Sequence, residues 1–122
     1  MLYAAALLIV TLGLAHSWLG ERYLLRRLFR RSDELPKLMG STDFTKNTLR
    51  FVWHLTTVMA LGFALLILQL ASGASAAAMV NAVGATLVLS GILPLAYTRG
   101  RHLSWPVLFI AGALCLLWAS SN

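Results

Sequence analysis

Glu21-Arg22-Tyr23-Leu24-Leu25-Arg26-Arg27-Leu28-Phe29-Arg30-Arg31 sets five arginines directly behind one charge-free apolar run and ahead of another. That juxtaposition decides the fold. The run before it is Leu2 to Leu19, and the runs after it are Phe51 to Ala71, Ala76 to Tyr97 and Leu103 to Ala119. Each is at or near the roughly 20 residues a helix needs to cross the hydrocarbon of a bilayer. The reading is an all-α, single-domain bundle of four transmembrane helices filling residues 1–122.

All ten basic residues lie in the first and third connections: Arg22, Arg26, Arg27, Arg30, Arg31, Lys37, Lys46, Arg50, Arg99 and Arg101. By the positive-inside rule those connections face the cytoplasm. Both termini and the Ser72 to Ser75 turn then face the opposite side, the periplasm of a bacterium, which places the protein in the inner membrane. The quoted stretch is amphipathic if helical, with Leu24, Leu25, Leu28 and Phe29 on one stripe and Arg22, Arg26, Arg27 and Arg30 around the rest. A cytoplasmic-side helix lying in the headgroup plane is expected over residues 21 to 31. Asp33, Glu34 and Pro36 end it, and Gly40-Ser41-Thr42-Asp43 turns into a second helix starting near Phe44.

Composition excludes several classes. With 122 residues, 59% of them hydrophobic, there is no room for a soluble domain beside four spans. The six excess positive charges serve topology and contact with anionic lipid headgroups, so nucleic acid is not an expected partner. Cys115, a lone cysteine, permits neither an internal disulfide nor a thiolate metal cage. The first span reads as a retained helix, because no basic residue precedes it and no small-residue cleavage pattern follows.

Short connections make the second, third and fourth spans antiparallel neighbours. Trp18, Tyr23, Trp53, Tyr97 and Trp105 read as one interfacial belt, with Tyr3 and Trp118 as the other. Ser104 is a candidate cap for the last helix, with Pro106 in its first turn. Pro94 removes the bond to the Ser90 carbonyl and predicts a kink. Ala77, Ala78, Ala82, Gly84, Ala85, Ser90 and Gly91 give the third helix a small-residue surface. That surface suits a central helix or a seam with a second copy or a membrane-protein partner.

The histidines are the residues most suited to chemistry. His16 and His54 lie at similar depth, about one turn inside the cytoplasmic boundary, with His102 at the boundary. Imidazole ligates transition metals, and ionisable groups inside a membrane are functional candidates. The candidate metal ligands are therefore His16, His54, His102 and Glu21. A haem b site would use His16 and His54, with Arg50 meeting a propionate. Helical spacing puts Gly13, His16, Ser17 and Gly20 on one face, and Arg50, His54 and Thr57 on another. Glu21, five residues beyond His16, is turned about 140° away unless Gly20 breaks the helix.

Two other classes compete with a metal or haem protein. One is a non-catalytic accessory or scaffold subunit. The other is a small transporter, since the length and four-helix plan look like the small multidrug resistance family. The glutamate which that family embeds in its first helix has no counterpart here, so proton coupling would fall to His16 or His54. No motif dictates an enzymatic reaction: Ser17 and His16 are adjacent and point about 100° apart, which prevents their pairing as nucleophile and base. The strings His16-Ser17-Trp18-Leu19-Gly20-Glu21 and Leu49-Arg50-Phe51-Val52-Trp53-His54-Leu55-Thr56 resemble a pattern in uncharacterised small bacterial four-helix inner-membrane proteins. The resemblance covers mainly the first half and implies an inner-membrane setting without an activity.

Overall fold

The computed structural model describes residues 1–122, and its regular structure is helical throughout. Helix α1 is Leu2–Arg30, α2 is Asp43–Ala71, α3 is Ala76–Thr98 and α4 is Ser104–Ser120. The first three are long and apolar enough to cross a membrane. At 17 residues α4 is shorter but equally apolar, with a length of about 26 Å. The side chains are distributed as lipid contact requires: Leu8, Leu12, Phe63, Leu89, Leu114 and Leu117 are exposed, whereas most buried residues, apart from Phe51, Leu25 and Pro94, are small or polar.

The helices pack in sequence order, α1 on α2, α2 on α3 and α3 on α4. Each contact has a small-residue cause. A Cβ on Gly84 would lie 3.0 Å from the Gly112 carbonyl oxygen, and one on Gly112 would lie 2.9 Å from the Gly84 oxygen. There α3 and α4 touch backbone to backbone. Gly91 accommodates Phe109 of α4, and Gly62 of α2 accommodates Thr86 of α3. The glycines expected to form a central or partner surface on α3 are thus covered by α4 of the same chain. Pro94 is fully buried inside α3.

The connections follow local chemistry. Gly73, at φ +70°, ends α2 with the Ala74 amide bonded to the Gln69 carbonyl at 2.9 Å, and Ser75 then caps α3 by accepting from the Ala78 amide. Two expectations need correction. Residues 21 to 30 are helical but not a helix apart from the first span; they extend α1, since the chain between Leu19 and Arg26 stays helical through a π-wound turn, Gly20–Leu25. Ser104 does not cap α4: it is the first helical residue, and its hydroxyl lies 2.9 Å from His102 Nδ1 instead.

Candidate functional site

The α1–α2 seam is built on every fourth residue of α1: Gly13, Ser17, Glu21, Leu25 and Phe29. Gly13 and Leu25 are buried and the others half-buried. On a regular helix, residues four apart advance about 40° per step, so this row would wind off the seam. The π turn holds it there. Its wider winding, with the Arg26 amide bonded to the Glu21 carbonyl five residues back, returns residues four apart to one line. The expected displacement of Glu21 is corrected by the same geometry. The seam is centred on Ser17, not His16, and Glu21 is one turn on from Ser17.

Helix α2 supplies the other wall through Arg50, His54 and Thr57. Arg50 donates to Glu21 in bidentate fashion, Nε to Oε2 at 3.1 Å and Nη2 to Oε1 at 2.9 Å. Its guanidinium also lies 5.1 Å from the Phe29 ring centroid. The side chains of Arg50, Glu21 and His54 are 31%, 25% and 19% exposed, so this pair is neither a freely solvated surface bridge nor a dry one. Arg26 reaches Glu21 only at 3.9 Å and is 63% exposed, which leaves it a minor contributor.

His54 joins the ion pair to a chain of hydroxyls. Its Nε2 is 3.4 Å from Glu21 Oε2, and its Nδ1 is 2.7 Å from Ser17 Oγ. Ser17 Oγ is in turn 2.8 Å from Thr57 Oγ1, which is 3.1 Å from the Gly13 carbonyl oxygen. Each hydroxyl has one proton to give. With neutral His54 carrying its proton on Nε2 toward Glu21, Ser17 donates to Nδ1 and Thr57 donates to Ser17. With a second proton on Nδ1 the chain reverses: His54 donates to Ser17, Ser17 to Thr57, and Thr57 to the Gly13 carbonyl. The same atoms therefore accommodate two states that differ by one proton, without moving a helix.

Trp53 closes the seam beside this chain. Its indole N–H donates to the His16 carbonyl at 3.0 Å, and its ring stacks on the His16 imidazole with centroids 4.3 Å apart and planes at 6°. Gly20 lies under the indole, where a Cβ would come within 1.9 Å of Nε1. Trp53 is thus a packing residue of the seam.

The structure brings Glu21, Arg50 and His54 together and assigns His16 and His102 elsewhere. His16 Nε2 is 3.0 Å from Thr56 Oγ1; because that hydroxyl gives its proton to the Trp53 carbonyl, the imidazole is the donor. His102 packs edge-on against Phe51 at 4.9 Å, with Nδ1 turned to Ser104. No three His, Cys, Asp or Glu side chains converge as a metal-ligand group. Both His54 nitrogens already have protein partners. Ser17, His54 and Glu21 follow the order of a nucleophile, base and carboxylate, yet Ser17 is wedged against Thr57 between helices, and three clefts of the molecule are lined by other residues.

Ser17, Thr57 and Trp53 were absent from the expected site residues. The four-residue repeat from Gly13 to Phe29 was the available signal, because it carries small, polar, charged and then apolar residues along one line of α1. No protein-family model, curated protein or solved structure matches the chain.

Proposed function

We propose that this is a four-span inner-membrane protein of a bacterium, with both termini periplasmic, that exchanges a proton at Ser17, His54 and Glu21 in the course of moving a small solute. The observation that carries the reading is the carboxylate–imidazole–hydroxyl chain inside the α1–α2 seam, which closes in two proton arrangements. Intramembrane ionisable groups are costly and are retained where they do something, proton relays among them. His54 takes the part that an embedded carboxylate plays in a proton-coupled carrier, with Glu21, held by Arg50, beside its Nε2. The ten basic residues flanking the spans set the orientation, and those other than Arg50 are free to meet anionic headgroups.

A metal or haem protein was the first expectation from ligand type and depth. The geometry favours proton exchange over it, because the imidazole nitrogens of His54 are both engaged and His16 donates to Thr56. An accessory subunit remains the alternative in which the same chain only ties two helices together.

Nitrogen-15 NMR of the histidine rings in bilayers tests the proposal. As the sample is acidified, His54 should pass from a singly protonated ring with hydrogen on Nε2 to a doubly protonated one, the two arrangements its partners accommodate. Ser17→Ala and Glu21→Gln should each change that transition. A His54 ring that keeps one protonation state across the range, or a transition unaffected by both substitutions, would overturn the reading.

A further inference from the structure

The cytoplasmic end of α2 and α3 holds a second polar feature, which the proton chain does not use. A cleft of about 380 Å3 is lined by Asp43, Phe44 and Asn47 from the first turns of α2, by Tyr97 at the end of α3, and by Arg99 and Arg101 from the α3–α4 connection. Neither arginine has a carboxylate within ion-pair reach, and Asp43 has no cationic partner. All ion pairs of the chain converge on Glu21, and Asp43, Arg99 and Arg101 are exposed, open to a ligand from solvent. Here two guanidiniums and one carboxylate line a single cleft without meeting.

The backbone adds a second observation. Arg99 ends α3 with φ 53° and ψ 42°, a left-handed conformation that glycine adopts without penalty and that costs an arginine. Gly100 follows at φ +77°. The two positive angles turn the chain tightly, so that Arg99 and Arg101 both line the cleft. Phe44 and Tyr97 give it aromatic walls, and Asn47, four residues after Asp43 on the same face of α2, adds an amide.

We propose that this cleft binds a small zwitterion, whose phosphate or carboxylate oxygens are held by Arg99 and Arg101 and whose ammonium group is held by Asp43. A simple anion would satisfy the arginines and be repelled by Asp43. A simple cation would have the reverse fault. A molecule with both charges satisfies all three, with Asn47 and the Tyr97 hydroxyl left to hydrogen-bond its polar remainder. The proposal does not depend on proton exchange at His54. Two sources supply the chemistry: a soluble phospho-amine or amino acid, and the phosphoethanolamine headgroup of a lipid.

Calorimetric titration of the full-length protein with O-phosphoethanolamine and with inorganic phosphate tests the proposal. Nanodiscs of phosphatidylglycerol and of phosphatidylethanolamine are compared. In phosphatidylglycerol, O-phosphoethanolamine should bind more tightly than phosphate. Arg99→Gln and Arg101→Gln should each weaken binding about tenfold or more, the loss of a charge-assisted hydrogen bond. Asp43→Asn should remove the preference for the zwitterion while leaving phosphate binding unchanged or improved. If lipid supplies the ligand, phosphatidylethanolamine nanodiscs should abolish binding of the soluble probe; if a solute does, binding should be the same in both. Absence of binding in phosphatidylglycerol, or equal binding of phosphate and O-phosphoethanolamine that Asp43→Asn does not alter, overturns the proposal. Ser17→Ala, which alters the proton chain but touches none of the cleft's lining residues, should leave these affinities unchanged, which separates this result from the fate of the proton chain.

Discussion

Gly20→Ala should damage the α1–α2 seam far more than Gly13→Ala, although the two glycines are seven residues apart on one face of α1. At Gly20 the new methyl would lie 1.9 Å from Trp53 Nε1 and 2.2 Å from its Cε2, so the indole must withdraw. Withdrawal breaks the bond to the His16 carbonyl, a loss of about 0.6 to 2 kcal/mol for an interhelical hydrogen bond in a membrane. It also separates rings stacked at 4.3 Å, which costs about 0.5 to 1.5 kcal/mol. Alanine's better helix propensity returns at most about 1 kcal/mol. At Gly13 the nearest atoms to an added Cβ are at 3.5, 3.7 and 3.8 Å, ordinary contact distances, so only the propensity gain applies. The difference between the two variants should therefore be about 2 kcal/mol. Reversible unfolding in bicelles or mixed micelles, followed by tryptophan fluorescence, measures it. Adding Trp53→Leu should remove most of the penalty from Gly20→Ala, since the clash is then gone, and a double-mutant cycle isolates that coupling. Equal stabilities for the two alanine variants, or a penalty that persists without Trp53, would refute the assignment of the indole to the seam.

Three further outcomes are expected. Glu21→Gln leaves the half-buried Arg50 guanidinium without its carboxylate. The loss should be about 1 to 3 kcal/mol, between the values for exposed and buried pairs, and chemical unfolding of Glu21→Gln against Arg50→Lys would show whether the bidentate contact matters. Gly112→Ala should separate α3 from α4 by about 1 to 3 kcal/mol of overpacking, because its Cβ would meet Val88 Cγ2 at 2.7 Å and a backbone oxygen at 2.9 Å. Cysteine cross-linking between the helices would report the change, and unaltered cross-linking would contradict the close approach. A C-terminal reporter active only in the cytoplasm should stay silent, as the charge asymmetry across the connections demands.

The helices were legible in the sequence because the bilayer imposes a simple rule: a run of about 20 uncharged apolar residues satisfies its backbone internally. The α2 start at Asp43, one residue before the expected Phe44, and the Ser72 to Ser75 turn lie where local residue chemistry put them. That Arg50 and His54 share one face of α2 was legible, since a spacing of four on a regular helix admits one relative direction.

The direction of Glu21 was legible only on the condition that the helix departs from regular winding at Gly20, and the reason is physical. Its direction depends on how the helix winds between Gly20 and Leu25, and a π turn is not encoded by any residue alone; it forms where side chains on the opposing helix reward it. Here the reward is the Arg50 ion pair and the His54 contact, with Trp53 lying over Gly20. Likewise, the small residues of α3 announced a close helix contact without saying with what, and only the packed chain shows that Gly112 of α4 fills that place. Composition and periodicity by themselves determined which segments are helical and which ends carry the charge, because those follow from transfer between water and lipid. Which faces meet, and hence that Ser17, Glu21, Arg50, His54 and Thr57 form one connected chain, was decided by tertiary packing, where interhelical contacts select among rotations that the sequence pattern leaves equivalent.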